Sequence, residues 1–354
     1  FLSLLVLPVL LLLASPVLGQ APSPKLYVCN QGEATVSIID MKSKTVEATV
    51  DLKKLGYSEN AKPHDVVAEP NGRYWYVTLI GGNTILKFNQ KNNLVGRVTD
   101  FEVPGLLALT PSSNRLYVGR SMSAVDPPKS MGVINREKMG VAKRIDTFFP
   151  RPHPLAVRDD GQYAFIASLA TNQLMGLDAT SGETKLTRLG GDTQTLVQFA
   201  MTPNGETLIA GGQKTGQLLL FDASQPPALS VTDTVQVGKQ PWHPVISRGG
   251  LLAYVPNKMS HTVSVVNLEK GSVTATIEGE GLAQPHGTVL SPDGQYLFVS
   301  NNNRKGTYSP SGDNPDAGTV TVVDTETNEI TKVIEVGTYP TGVGTFGGQR
   351  AMTP

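Results

Sequence analysis

The chain has 354 residues, and its 30 lysines and arginines balance its 30 aspartates and glutamates, so the formal net charge is zero. No long run of one charge interrupts the sequence, which argues against nucleic acid or an anionic membrane surface as the partner. The length is compatible with two ordinary domains or with one large repeat domain.

The first 14 residues, FLSLLVLPVLLLLA, form an uncharged apolar run followed by small residues up to Gly19. This pattern is typical of a secretory signal peptide over residues 1–19, with cleavage after Gly19. The run is short for a membrane span and is interrupted by Pro8, so a retained anchor is the second interpretation. The initiating methionine and a basic segment are missing, which suggests a truncated start. We therefore expect a periplasmic or secreted protein whose mature chain has no membrane span.

Cys29 is the only cysteine of the chain. An intramolecular disulfide is therefore impossible, and covalent haem attachment through C-x-x-C-H is excluded. We expect Cys29 to be a small buried apolar residue.

A segment such as QPHGTVLSPDG at Gln284–Gly294, followed by the strand-like YLFVSN, recurs along the chain. The copies align on seven marker positions, which are Pro63, Pro104, Pro152, Leu196, Pro241, Pro285 and Pro340. Units of this size, with four short strands between turn signals, are typical of propeller blades. The spacing therefore predicts an all-β, seven-bladed β-propeller over residues 25–348, preceded by a short linker at 20–24 and followed by a tail at 349–354.

Each unit repeats the same order of predicted strands. An apolar first strand ends in a turn such as Pro70–Gly72, and a second strand rich in Tyr, Phe and Val follows. An alternating third strand such as Thr35–Asp40 and an outer strand such as Thr45–Val50 complete the unit. The chain opens with a second strand and closes with a first strand at Thr341–Gly347. We therefore expect the C-terminal strand to complete the N-terminal blade and to close the ring.

Two long loops interrupt the repeats, at Arg120–Gly132 and at Asn301–Gly318, and both lie between the second and third strands of their units. Loops of this length in a compact repeat protein are often functional, and plain surface insertions are about as common.

Segments such as YVCNQGEATVSIID and SPDGQYLFVSNNN, together with the closing GTVTVVDTETNEITKVIEVGTYPTGVG, resemble the YVTN-repeat β-propellers. The relatives of that family include surface-layer propellers and the propeller domains of haem-d1 proteins and nitrous-oxide reductase. The resemblance covers nearly all of residues 25–348 and implies the fold. It does not imply an activity, because members of such a superfold differ widely in what they bind.

Three of the five histidines, His64, His153 and His286, directly follow a marker in three different units. The same position holds Trp242 in another unit, with His243 beside it. In the architecture of the family, this position opens the innermost strand at the rim of the central channel. The remaining histidine, His261, belongs to a loop predicted to emerge on the same face.

Two interpretations of this pattern remain open. The histidines would either converge on a ligand, with the two long loops as a lid, or merely cap the blade entrances. Imidazole nitrogens suit copper or zinc, so His64, His153 and His286 are candidate metal ligands. A non-covalent haem would need an axial ligand, and these histidines are the evident candidates. Nitrous-oxide reductase, however, uses more histidines than this chain has, and its second copper domain is absent here.

Conventional catalytic motifs, including G-x-S-x-G, H-E-x-x-H and a P-loop, do not occur. A lactonase-like hydrolase is an alternative, since other seven-bladed propellers have that activity, and His64 with Asp65 is the adjacent acid–base pair to note. Basic residues are also expected near the histidine face, and they are Lys62, Arg120, Arg151, Lys239, Lys258, Arg304 and Lys305. With Trp242 and Tyr308 they could bind a carboxylate, a phosphate or single-stranded nucleic acid by charge and stacking. Because the net charge is zero, solvated side chains are the preferred interpretation.

The sequence thus predicts an exported, monomeric binding module for a small molecule or a protein, rather than a conventional enzyme. The alternatives are a metal-dependent redox protein of copper or haem type and a lactonase-like hydrolase at the same channel mouth. The predicted ligand-binding residues are His64, His153, Trp242, His243, His286, Arg120 and Arg304.

Overall fold

The computed structural model describes residues 23–110, 112–120 and 125–346. The predicted signal peptide and C-terminal tail lie outside these ranges, as do residues 121–124 of the first long loop. The described residues form 28 strands and two short 3₁₀ helices, Leu52–Leu55 and Glu59–Ala61. No helix in the described ranges has the length and apolar character needed to cross a membrane.

The strands of the first half of the chain are β1 (Lys25–Asn30), β2 (Thr35–Asp40), β3 (Thr45–Asp51), β4 (Pro63–Ala68), β5 (Tyr74–Leu79), β6 (Thr84–Asn89), β7 (Leu94–Val98), β8 (Pro104–Leu109), β9 (Arg115–Arg120), β10 (Ser130–Asn135), β11 (Gly140–Asp146), β12 (Pro152–Val157), β13 (Tyr163–Ser168), β14 (Gln173–Asp178) and β15 (Thr184–Arg188). Those of the second half are β16 (Leu196–Met201), β17 (Thr207–Gly212), β18 (Gln217–Asp222), β19 (Ser230–Gln236), β20 (Val245–Ile246), β21 (Leu252–Asn257), β22 (Thr262–Asn267), β23 (Ser272–Ile277), β24 (Pro285–Leu290), β25 (Tyr296–Asn301), β26 (Ala317–Asp324), β27 (Ile330–Thr338) and β28 (Pro340–Thr345).

These strands form seven antiparallel sheets of four strands each within the described residues, which confirms the predicted seven-bladed β-propeller. Six blades use four consecutive strands, and the seventh has the order β28-β1-β2-β3. Tyr27 of β1 pairs with Gly344 of β28, and Val28 pairs with Val343. The C-terminal strand therefore completes the N-terminal blade, as predicted, and closes the ring.

The inner strands begin at the predicted markers, and most of them bulge immediately afterwards. In β4, the regular pairing with β5 breaks between Pro63 and Val66. The same break follows the markers of β8, β12, β16 and β24. A bulge releases the intervening residues from the ladder and redirects their side chains. His64, His153 and His286 lie within such bulges at the start of their strands.

The blade that carries Trp242 and His243 departs from this pattern. Its inner strand β20 covers only two residues, and Pro241 forms an isolated bridge with Asn257. Pro244 explains the shortening, because proline has no N–H to donate to the ladder. The N–H of His243 donates instead to the carbonyl of His286 in the next blade, at 3.2 Å.

Hydrophobic clusters fill the spaces between neighbouring blades. In one of them, Trp75 stacks between Tyr27, at 4.9 Å between ring centroids, and Phe88, at 4.1 Å. Cys29 is fully buried in the same cluster, as expected from the sequence, and burial raises the pKa of its thiol. The packing between blades fixes the orientation of the inner strands and hence of the site.

A repeated asparagine ends the second strand in three blades and ties it to the third strand. The side-chain amide of Asn257 donates to the hydroxyls of Thr262, at 3.1 Å, and Ser264, at 2.9 Å. Asn30 and Asn301 make equivalent bonds to hydroxyls of β2 and β26. The asparagine that ends the second strand therefore has a structural role.

Candidate functional site

Four histidines gather at the end of the central channel where the inner strands begin. The ring centroids of His64 and His153 are 5.6 Å apart, and those of His243 and His286 are 4.7 Å apart. All four side chains belong to residues that are no more than 6% exposed. The structure thus brings together the three histidines that share a repeat position and adds His243.

Trp242 extends this cluster. Its ring centroid lies 5.2 Å from that of His286 and 6.5 Å from that of His243. It occupies the repeat position that holds histidine in three other blades, so an aromatic side chain takes the same place in the ring. We define the channel mouth as His64, His153, Trp242, His243, His286 and Lys258, whose contacts follow below.

The four imidazoles are neutral at pH 7. Burial and, to a smaller extent, the nearby Lys258 lower the pKa of His64 to about 4. Burial also lowers the pKa values of His153, His243 and His286 well below that of an ordinary histidine, and the neighbouring histidines contribute. A neutral imidazole keeps one nitrogen as a donor and the other as an acceptor.

Several buried polar atoms of the mouth have no hydrogen-bond partner among the described residues. They are Nε2 of His64, Nε1 of Trp242, Nε2 of His243 and Nδ1 of His286. Leaving one such atom buried and unpaired costs about 1–3 kcal/mol. Their occurrence together at one end of the channel is typical of a binding site.

The protonation of His64 follows from its contact with Gln31. The side-chain amide nitrogen of Gln31 lies 3.1 Å from Nδ1 of His64. An amide nitrogen can only donate, so Nδ1 accepts and the proton of the neutral ring resides on Nε2. The unpaired atom of His64 is therefore a hydrogen-bond donor, as is the indole N–H of Trp242.

Lys258 covers the tryptophan at the mouth. Its ammonium nitrogen is 4.4 Å from the centroid of the Trp242 ring and 5.8 Å from that of Tyr339. The residue is only 9% exposed, and burial together with the smaller effect of Arg304 lowers its pKa to about 8. The guanidinium of Arg304 lies 4.6 Å from the centroid of the same Tyr339 ring. The cations of Lys258 and Arg304 therefore both lie near the ring of Tyr339.

The second long loop, residues 302–316 between β25 and β26, is tied down beside the mouth. The carboxylate of Glu335 accepts hydrogen bonds from the hydroxyl of Tyr308, at 2.9 Å, and from the backbone N–H groups of Ser311, at 2.6 Å, and Gly312, at 3.0 Å. The side chain of Asn302 donates to the carbonyl of Pro340, where β28 begins. The loop that carries Arg304 is thus anchored to its own blade through Glu335 and to the closing blade through Pro340.

Arg120 makes its contacts inside its own blade. Its guanidinium donates to the hydroxyl of Ser130, at 2.8 Å, pairs with Glu102 and lies 5.6 Å from the Phe101 ring. Arg120 ends its second strand, as Asn257 does, and so its side chain points to the third strand. The structure does not bring Arg120 into the histidine cluster. His261 accepts from the N–H of Gln284, at 3.1 Å, and the described ring contacts do not include it.

Below the mouth, the channel holds a cavity of about 540 Å³ lined by the inner strands. His243 and Asp65 both line it. Burial raises the pKa of Asp65 to about 7, although its carboxylate accepts from the N–H of Leu107, at 2.7 Å, in the next blade. Since His64 is bonded to Gln31 and Asp65 to Leu107, the described contacts do not join the two as an acid–base pair.

The described residues contain no group of three or more His, Cys, Asp or Glu side chains placed to hold a metal ion. The contact with Gln31 puts the proton of His64 on Nε2, so His64 would have to change tautomer before that nitrogen could bind a metal. The arrangement fits a ligand that accepts hydrogen bonds better than it fits a metal ion.

Solved structures with the same fold include a functionally unknown protein from Desulfotomaculum acetoxidans, which is similar with a TM-score of 0.74 and 15% identity over 92% of this chain and 99% of that one. Hydrazine synthase from Kuenenia stuttgartiensis is similar with a TM-score of 0.65 and 15% identity over 88% of this chain and 98% of that one. No family model and no curated protein sequence matches the chain. At this level of identity the similarity establishes the β-propeller fold alone.

Proposed function

We propose that the protein is a binding module that takes a small molecule at the channel mouth. The observation that carries this proposal is the convergence of four buried polar atoms without partners, contributed by His64, Trp242, His243 and His286. A ligand with complementary polar groups would supply the missing hydrogen bonds and recover their cost. Aromatic walls with a few convergent polar groups are typical of small-molecule sites.

The rigid support of these side chains also favours binding. The hydroxyl of Thr341 donates to the carbonyl of His64, at 3.2 Å, and that of Thr288 donates to the carbonyl of His243, at 2.6 Å. Such bonds between blades hold the bulges in place before any ligand arrives. Preorganised groups lose little entropy on binding, so more of the interaction energy appears as affinity.

Fluorescence provides a direct test, because the chain has only two tryptophans. A Trp75→Phe variant leaves Trp242 as the sole tryptophan reporter at the mouth. In a screen of small metabolites, a true ligand should change its emission saturably. The response should be lost in His243→Ala and His286→Ala and retained in His261→Ala. Ligands or protein partners whose binding is unchanged in both His243→Ala and His286→Ala would contradict the proposal.

A transition-metal function is the second candidate, favoured by four imidazoles at one channel end. Binding through Nε2 of His64 would require the proton on that nitrogen to move, because a metal-bound imidazole nitrogen carries no proton. Elemental analysis of protein purified without chelators or a His tag tests it. Stoichiometric copper, zinc or iron, lost together with His64, His153 and His286, would favour the metal, whether as an ion or as haem iron.

The remaining expectations from the sequence stand as proposals. The apolar leader supports export to the periplasm or the medium, and the recurring YVCN-like strands support membership of the YVTN-repeat propellers. A lactonase-like activity has less support, because Asp65 and His64 are engaged by Leu107 and Gln31. Hydrolysis of a lactone series by the wild-type protein, unchanged on Asp65→Asn, would exclude that carboxyl as the base.

A further inference from the structure

The buried cation Lys258 lacks an anionic partner. No ion pair joins it to a carboxylate among the described residues, although it is only 9% exposed. The neighbouring charge that acts on it is a second cation, Arg304, which lowers its pKa. Burying a charge is expensive unless it is paired, and bringing a like charge near adds to the cost.

The donors around Lys258 also lack acceptors. The indole N–H of Trp242 and the Nε2–H of His64 are buried and unpaired, and both belong to the mouth that Lys258 covers. Lys258 lies 4.4 Å from the centroid of the Trp242 ring, which is 5.2 Å from that of His286, and its charge helps to lower the pKa values of His64, His243 and His286. The mouth therefore combines positive charge with unpaired donors, and this combination complements an oxyanion.

We propose that the ligand of the channel mouth is a small oxyanion, carrying a carboxylate or a phosphate, that binds Lys258 and Arg304 and accepts hydrogen bonds from Trp242 and His64. This inference rests on the proposed function and names its ligand class. Lys258 provides the buried charge, whereas the exposed Arg304 reaches the same site across the ring of Tyr339. An anion between the two cations relieves their repulsion, and a neutral ligand does not.

Isothermal titration of the chain from residue 20 onward, in chloride-poor buffer at pH 7, tests the inference with three probes. Inorganic phosphate and succinate represent the two oxyanions, and succinamide is the uncharged counterpart of succinate. Both oxyanions should bind at one site per chain, and succinamide should not. Their relative affinities then rank a carboxylate against a phosphate.

Variants locate the binding. Lys258→Gln should weaken the oxyanions by about tenfold or more, because it removes a charge-assisted bond in a buried place. Arg304→Gln should weaken them by about two- to fivefold, as expected for an exposed charge. Lys239→Gln, which alters an exposed lysine on the same face, should leave the affinity unchanged.

The outcomes separate this inference from the proposed function. The proposal that the ligand is an anion would be overturned if neither oxyanion bound. It would also be overturned if both oxyanions bound the Lys258→Gln variant as tightly as the wild type. Binding of succinamide with the same affinity as succinate would also overturn it. If Trp242 nevertheless responded to another ligand through His243 and His286, the mouth would remain a binding site. Lys258-dependent binding that ignored both histidines would instead overturn the proposed role of the histidine cluster.

Discussion

The ammonium group of Lys258 lies 4.4 Å from the centre of the Trp242 indole, and the two residues come from the same blade. Trp242 precedes the shortened inner strand β20, and Lys258 directly follows the second strand, β21. The carbonyl of Pro256 accepts from the N–H of Trp242, at 2.8 Å, and fixes the two segments side by side. One blade thus supplies both a cation and an aromatic donor at the mouth.

Lys258 should destabilise the free protein. Its pKa is about 8 in the folded chain against an ordinary value of 10.5, so folding disfavours the charged form. Lys258→Met should therefore raise the free energy of unfolding at pH 7 by up to about 3 kcal/mol. The gain should be largest below pH 8 and should vanish as the pH approaches 10.5. Urea unfolding of both proteins across this range, with Lys239→Met as the control, measures it. An equal or lower stability of Lys258→Met at pH 7 would contradict the burial argument.

Oxyanion binding should depend on pH through the same lysine. An anion favours the charged form of Lys258, so binding should weaken as the pH rises through about 8 and should take up protons there. The neutral His64, His243 and His286 do not titrate in this range. Succinate titrations in buffers of different ionisation enthalpy report the proton uptake. Uptake that persists in Lys258→Gln would assign it to another group.

Acid should destabilise the fold through the histidine cluster. The pKa of His64 is about 4 in the folded chain and near 6.5 when unfolded, so stability is present above pH 6.5 and is lost as the pH falls towards 4. His64 alone should cost about 2 kcal/mol of stability at pH 5. Thermal or urea unfolding between pH 7 and 4.5 should show a smaller loss for His64→Asn than for the wild type, with His261→Asn as the control. Identical pH slopes for His64→Asn and the wild type would show that His64 is not held neutral.

The asparagine that ends the second strand should be important for stability. Asn257 donates to Thr262 and Ser264, and its carbonyl oxygen accepts from the N–H of Gly238, at 3.1 Å. Asn257→Ala should lower the free energy of unfolding by about 1–3 kcal/mol, because it leaves buried groups unpaired. Asn204→Ala, at an exposed turn residue, should lower the free energy of unfolding by less than Asn257→Ala does. A decrease of less than about 0.5 kcal/mol in the free energy of unfolding of Asn257→Ala would contradict the structural role of the repeated asparagine.

Glu335 should control the order of the 302–316 loop. The donors Tyr308, Ser311 and Gly312 hold its pKa at about 2, so the carboxylate stays charged at neutral pH. Glu335→Gln replaces one acceptor oxygen by a donor and should increase amide hydrogen exchange in the loop. The exposed Glu326→Gln serves as the matched control. Unchanged exchange in Glu335→Gln would show that other contacts hold the loop.

The fold followed from the sequence because each blade repeats its turn and strand signals. The markers Pro63 and Pro285 begin inner strands as predicted, and the closing strand β28 pairs with β1. The shortened strand β20 was the exception, since Pro244 removes a donor from the ladder. Pro244, three residues after the marker Pro241, was the sequence signal for the shortened strand.

The histidines of the mouth were visible as a repeated position, whereas Lys258 was interpreted as one of several solvated charges. A signal for it does exist, because Lys258 follows the repeated asparagine Asn257 just as Gln31 follows Asn30. Gln31 bonds to His64 and Lys258 covers Trp242, so this position faces the mouth. The residues that contact this position come from neighbouring strands and blades, and a single sequence does not reveal which residues they are.

The most direct test of the central claim is the two indole N–H resonances in a ¹H–¹⁵N spectrum of the chain during titration with succinate. Trp75 is an internal control, since its indole already donates to Asn92, at 3.2 Å, far along the blade from the mouth residues. The resonance of Trp242 should shift saturably while that of Trp75 stays in place, because only the indole of Trp242 gains an acceptor. An unmoved Trp242 resonance at saturating succinate and phosphate would contradict the assignment of the channel mouth as an oxyanion-binding site.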